Sequence, residues 1–404
     1  MITLVYFKKQ LELRRISNLH KKTIGSMIKH QRTKMRMTLE EGSEGICSVS
    51  YLSKVENNMI VPSDKFLEDL VKRFDLKVMS TQNEKKIEDF FNLIITNLFE
   101  NKPLAYDHMD IDELSYQGKI LSLIYKIDRL DFDKIKNDHD ELLGYIKNFN
   151  DQEVLLYVLF TSIQYDHMNL HKEGFLLIEE VENIRYKNIY LHYLLLYYKL
   201  RHAFKLNHHA TILKEYQTLL SELIEYGHFQ FAQKLKVDYL DYLAHFEKTH
   251  IYKEEVEKLL GVPEKQKQYL LAKNLYYRKN YQQSLSYIEE IHTEDALILK
   301  LKIYDILGKC DLMHQILSKK IVFQKASHSI IFEFFQIKYE LIKKPILSYL
   351  KQTFILNQYV IDDVETNLFF IEQGTAQFKA QSFYKDGTHF LQTLTRKIKT
   401  NSKI

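Results

Sequence analysis

This sequence predicts an all-α protein: a small helical head followed by a long stack of helix pairs. Three observations carry that expectation. Glycine and proline are scarce, eleven and four in 404 residues, against a usual combined share of about 12%, which leaves little room for turn-rich β architecture. From about residue 84 to residue 399, short polar breaks separate apolar-periodic segments of about 12–20 residues, the length of antiparallel helices joined by tight turns. Near the N-terminus, Ile46–Glu56 reads as a turn followed by a capped helix.

The elements follow in order. Residues 1–20 form a basic N-terminal extension, an arm or a loosely ordered start. A first helix is expected over Thr23–Lys34, burying Ile24, Met27 and Ile28. Thr38-Leu39-Glu40-Glu41 opens a short second helix, with Thr38 as its cap and glutamates suited to the first turn. Ser48 caps the next helix, whose Leu52 and Val55 fall on one face against Leu39. Val49, Ser50, Ser53, Lys54 and Asn57 lie on outward arcs. Pro62-Ser63-Asp64 starts a further helix with an apolar stripe of Phe66, Leu67, Leu70 and Val71. Residues 80–84 are polar and aperiodic, so the head is placed at 21–79, a linker at 80–84 and a helical body at 85–400. Within the body, Ile212, Tyr216, Leu219, Leu220, Leu223 and Ile224 make one helical stripe.

Charge is unevenly spread. Residues 1–80 carry 15 Lys and Arg against 9 Asp and Glu, and the remainder 42 against 44. The positive excess therefore sits on the head, where neutralising nucleic-acid phosphates would require it. Small hydroxyl residues let a helix sit deep in a major groove, with Lys54 supplying charge for the backbone. Thr38, Ser48, Val49, Ser50, Tyr51, Ser53, Lys54 and Asn57 are the candidate DNA-contacting residues.

The segment Thr38–Glu56, with Ile46-Cys47 at the turn and Ser50, Ser53 and Glu56 behind it, resembles the lambda-repressor-like (XRE) helix-turn-helix. More narrowly, it resembles the version found in the RRNPP group of peptide-responsive Gram-positive regulators. The likeness covers roughly residues 21–78. It departs at Gly42, where the pattern usually has a buried Leu, and at Val49, where Gln or Arg often reads bases. In the body, Ala272–Ser284 resembles the tetratricopeptide repeat, with Ala272 early in one helix, Tyr281 opening the next and Ser284 where the two cross. Ala380, Phe383, Gly387 and His389 give a fainter second copy. A helix pair cannot bury its apolar face alone, so stacking into roughly eight pairs of a tetratricopeptide-like α-solenoid is expected.

The resemblance implies a cytoplasmic transcription regulator, a homodimer through its body, controlled by a short re-imported peptide. One head covers few base pairs, so a dimer on an inverted-repeat operator of double-stranded DNA is expected. Specific peptide capture needs amides for the peptide backbone and aromatic walls for its side chains. Two helices are the candidates. Lys187–Leu206 carries Tyr190, Tyr193, Tyr197 and Arg201 three or four apart, and Gln266–Arg278 carries Asn274 and Tyr277. Relatives place an inner-wall Asn two residues before the small helix position; Leu270 stands there, so Asn274 is a substitute candidate. Two other readings of the body stay open: an adaptor that sequesters a protein partner, and a ligand-free dimerisation scaffold.

Several function classes lack their signatures. The glycines are scattered, with no phosphate-binding loop, and there is no Cys-x-x-Cys, His-Glu-x-x-His or nucleophile elbow. No enzyme, cofactor or metal site is expected. His208-His209 with His202 reads as a solvated turn, and Asp362-Asp363 and Glu289-Glu290 as surface acid pairs that diverge on a helix. Two cysteines cannot build a disulfide framework, and Cys47 suits packing at the turn. No apolar run approaches the roughly 20 residues of a membrane span, so a cytoplasmic protein without membrane contact is expected.

Overall fold

The computed structural model describes residues 4–16, 24–57, 59–60, 62–76, 81–104, 116–132, 135–356 and 362–401. Residues 1–3 and 17–20 of the extension, Thr23 and Ser80 lie outside them. The described residues are helical and turn-linked with no strand among them, so the all-α expectation holds. No helix among them is long and apolar enough to cross a membrane. The chain divides into two units, residues 1–164 with 177–195, and residues 165–176 with 196–404.

The first unit begins with α1 (Leu4–Ile16), which covers most of the basic extension. It is a docked helix, not a loose arm. Phe7 and Leu11 are buried, and the Phe7 ring stacks on Tyr157 with centroids 6.3 Å apart. Its charges serve internal partners: Arg14 donates to the Phe149 carbonyl at 2.7 Å and pairs with Asp151, while Lys8 pairs with Glu180 at 2.7 Å.

The head follows as α2 (Ile24–Lys34), α3 (Leu39–Ser43), α4 (Val49–Glu56) and α5 (Asp64–Arg73). Met27, Ile28, Leu52, Val55, Leu70, Phe74 and Leu76 form its core, with Leu39 and Cys47 packed against it. Thr38 and Glu41 form a reciprocal capping box, and the Ser48 hydroxyl accepts from the Tyr51 N–H at 3.1 Å. Both caps satisfy amides that a helix leaves without partners. Ser63 occupies the corresponding place before α5, but its hydroxyl makes no cap bond; its N–H donates to the Tyr51 hydroxyl at 3.3 Å instead.

The departure at Gly42 has a structural reason. A Cβ there would lie 2.8 Å from the Arg32 side chain and 3.2 Å from Leu52 and Phe74. Arg32 fills the space and grips the buried Glu56 through Nε and Nη2 at 2.6 and 2.9 Å, while Nη1 donates to the Met37 carbonyl at 2.6 Å. A bidentate ion pair thus stands where a leucine would pack.

The first unit continues with α6 (Thr81–Phe99), α7 (Tyr116–Asp128), α8 (Ile135–Tyr145) and a short 3-10 turn, Ile146–Asn148. Thr81–Glu84, read as linker, are the first residues of α6. Three helices contribute to both units: α9 (Asp151–His167), α10 (His171–Glu179) and α11 (Ile189–Leu206).

The second unit runs on through α12 (His209–Glu225), α13 (Phe229–Leu243), α14 (Thr249–Glu257), α15 (Glu264–Tyr277) and α16 (Tyr281–Ile288). It ends with α17 (Glu294–Ile306), α18 (Cys310–Leu317), α19 (Ala326–Lys338), α20 (Ile346–Leu350), α21 (Val364–Ala380) and α22 (Tyr384–Asn401). Helix α15 packs on α16 where small residues allow it: Ala272 and Ser284 are fully buried, and the Ser284 hydroxyl donates to the Ala272 carbonyl at 2.6 Å. Gly387 plays the same part between α21 and α22, where a Cβ would lie 2.9 Å from Phe378. Between α12 and α13 the turn uses Gly227 at φ 78°, a left-handed conformation that glycine adopts without strain.

Two sequence expectations are corrected here. Asp362 and Asp363 are buried, not a surface pair. Asp363 caps α21 by accepting from the Thr366 N–H at 2.8 Å, and Asp362 faces Glu173. His202 and His208 are also buried, so the proposed solvated turn is not one. The His208 ring bonds Thr211 at 2.8 Å and lies against Phe175, leaving only His209 exposed.

Candidate functional site

Two regions combine exposure or space with chemistry: the outer face of α4 and a cavity in the second unit. On α4, Leu52, Val55 and Glu56 are buried, whereas Ser48, Val49, Ser50 and Lys54 are exposed. Lys54 has no ion-pair partner among the described residues and stands in the last turn. Thr38 is exposed with its hydroxyl committed to the capping box. Tyr51 braces the head: its ring packs on Phe66 at 5.1 Å and its hydroxyl accepts from Ser63. Ser53 is half-buried, and its carbonyl accepts from the Asn57 amide at 2.8 Å. Asn57 is further engaged by Lys147, whose ammonium donates to Oδ1 at 2.9 Å. The face therefore offers a capped helix start, three small side chains and one unpaired cation. Those are the components of a groove-reading helix.

The cavity has a volume of about 730 Å³ and is walled by α11, α13, α15, α17, α19 and α21, with the end of α9 and the start of α10 at one edge. Oppositely charged side chains of its lining pair with one another. Arg201 holds Asp166 at 2.7 Å and Asp238 at 3.0 Å. Lys205 and Lys273 flank Asp241 at 3.3 and 2.7 Å, and Lys273 also reaches Glu365 at 2.9 Å. Burial disfavours the charged forms, but the partners offset it. Arg201, with His171 and His202, holds the Asp166 carboxyl well below its usual range. Asp241 and Glu365 likewise hold the Lys273 ammonium well above its own. For Lys302, burial outweighs its attraction to Glu365 and the ammonium titrates below its ordinary value. The wall thus presents both signs of charge beside Phe204, Tyr242, Phe246, Tyr269 and Tyr277.

Of the six candidate peptide-contacting residues, Arg201 and Tyr277 line this cavity. Tyr197 is fully buried beneath Arg201, donating its hydroxyl hydrogen to Asp238 at 2.6 Å. Asn274 is also fully buried; its amide donates to the Ala244 and Glu247 carbonyls at 3.0 and 2.9 Å, closing the end of α13. Asn274 is therefore a structural clamp, which corrects the sequence expectation. Tyr190 and Tyr193 belong to the first unit, where the Tyr190 ring stacks on Phe99 at 4.4 Å and Tyr193 is buried; neither lines the cavity. The sequence reading missed Asp166, Asp238, Asp241, Lys273 and Glu365. A usable signal was present: Arg201 and Asp238, and Lys205 and Asp241, carry opposite charges at about one repeat length.

At one edge of the cavity, Asp166, His171 and His202 bring three donor atoms within 4.8 Å of one another. In the sequence, His202 groups with its chain neighbours His208 and His209. Its real partner, His171, is 31 residues away.

No family model and no curated protein matches this chain. Among solved structures, the chain is similar to Bacillus thuringiensis PlcR, crystallised in complex with the peptide PapR7 and DNA. Identity is 13%, covering 89% of this chain and 98% of that one, with a TM-score of 0.17. The functional reading rests on this chain's own residues.

Proposed function

We propose that this chain is a cytoplasmic transcription regulator that binds double-stranded DNA through α4 and takes a short peptide in the cavity of its second unit. The observation that carries the reading is the α4 face. A helix capped at its start by Ser48 turns its apolar side into the head and leaves small polar residues and Lys54 outward. Such a face does no chemistry by itself; it offers hydrogen bonds and charge to a groove. Two copies on an inverted repeat would supply the base pairs that one head lacks.

The cavity supports the ligand half of the proposal. An extended peptide brings a carboxylate, an ammonium and apolar side chains, and the wall offers both charge signs beside aromatic rings. Its internal ion pairs keep those buried charges compensated until a ligand's own charged groups exchange with them.

The test uses the whole chain. Fluorescence anisotropy on duplexes from upstream of its own gene, with and without short peptides encoded beside that gene, should show specific DNA binding that one peptide changes. Equal affinity for those duplexes and for random DNA, indifferent to every peptide, would remove the reading.

A further inference from the structure

We propose that Asp166, His171 and His202 form a binding site for one divalent transition-metal ion of the zinc class at the cavity wall. The three come from separate elements: Asp166 from the last turn of α9, His171 from the start of α10, and His202 from the middle of α11. His171 Nδ1 lies 3.1 Å from His202 Nδ1 and 3.6 Å from an Asp166 carboxylate oxygen. Zinc bonds to nitrogen and oxygen are about 2.0–2.2 Å, so neighbouring ligands in a tetrahedral shell stand about 3.3–3.5 Å apart. The two observed separations bracket that value. Two imidazoles with a carboxylate are also a donor set that suits this class of ion.

The surroundings hold the donors in place. Both histidines are buried, at 1% and 0% exposure. Arg201 occupies the other Asp166 oxygen at 2.7 Å, which orients the carboxylate as an outer-shell partner would. Gly174 on α10 lies directly beneath the His202 ring, where a Cβ would collide with the imidazole. The far nitrogen of His171 faces the Asn169 amide at 3.4 Å, a long hydrogen bond that the amide donates. Asp166 and His171 both line the cavity, so the remaining coordination position is filled from the cavity side.

An imidazole pair sharing one N–H would be satisfied with no ion, and that is the outcome the experiment must separate. The full chain, treated with chelator and returned to buffer, is titrated with Zn²⁺ by calorimetry and with Co²⁺ by visible absorption. One equivalent of Zn²⁺ and a tetrahedral Co²⁺ spectrum are expected. His171→Asn and His202→Ala should each weaken binding at least a hundredfold, while the exposed His209→Ala keeps it. His171→Asn retains a polar group at a helix start and serves if His202→Ala fails to fold by circular dichroism. Absence of stoichiometric binding, or binding that His171→Asn leaves unchanged, overturns the site. Because the readout is metal alone, its failure leaves the DNA and peptide reading standing.

Discussion

Lys147, in the 3-10 turn after α8, donates to Oδ1 of Asn57, the residue that ends α4, at 2.9 Å. If Asn57 contacts DNA as proposed, that contact would compete with Lys147 for the same amide. Burial and nearby Lys29 push the Lys147 ammonium below its ordinary value, which marks it as half-withdrawn from water. A hydrogen bond of this kind is worth about 0.5–1.5 kcal/mol. Lys147→Met should therefore raise DNA affinity roughly two- to tenfold, measured by anisotropy on one duplex. A loss of affinity would mean that the contact holds the head in its binding pose.

The head's internal ion pair makes a stability prediction. Glu56 is 3% exposed and depends on Arg32. Breaking a buried pair by removing one partner costs about 3–5 kcal/mol, and Arg32→Ala should destabilise the head by that amount in urea unfolding. Gly42→Leu should also destabilise it, because the new Cβ meets Arg32. Combined, the two substitutions should cost less than their sum, since the leucine then fills the vacated space. Additive costs would show that the two sites are independent.

Arg201 and Asn274 should separate ligand binding from folding. Arg201 lines the cavity and Asn274 closes the end of α13. Arg201→Ala should weaken a cognate peptide by roughly 1–3 kcal/mol in calorimetry. Asn274→Ala leaves two carbonyls without their donor and should lower stability by a similar amount while changing peptide affinity little. The reverse pattern would move the ligand away from the cavity wall.

Asp362 gives the second unit a pH dependence. Burial and the facing Glu173 push its carboxyl up to about 7, above an unfolded value of about 3.9. The folded chain therefore binds the extra proton between about pH 4 and pH 7, and this group's contribution to stability declines as pH rises through that window. Asp362→Asn removes the titration. It should raise the Tm most at pH 8, by less at pH 5, and leave it nearly unchanged below about pH 4. A variant no more stable at pH 8 than the native chain would contradict the assignment.

Local signals were legible in the sequence where the physics is local. Thr38 and Ser48 cap as read, and Leu52, Val55 and Leu70 are buried as their periodicity required. The crossing of α15 and α16 was visible because only small residues at Ala272 and Ser284 permit it. What the sequence hid depends on distant partners. Tyr193, Tyr197 and Arg201 share a helical stripe, but a stripe does not say whether a ring faces a cavity or a neighbouring helix. Asp362 looked like surface acid because nothing near it in the chain reveals Glu173. The extension 1–20 looked like an arm because Arg14's partners, Phe149 and Asp151, lie far along the chain.

The central claim is that α4 is the DNA-reading helix, and the most direct test is DNA affinity measured across a series of salt concentrations for the native chain and Lys54→Ala. Each lysine–phosphate contact releases counterions, so the variant should bind every sequence more weakly, with its log–log salt slope reduced in magnitude by about one. An affinity and a slope both unchanged by Lys54→Ala would contradict the assignment of α4.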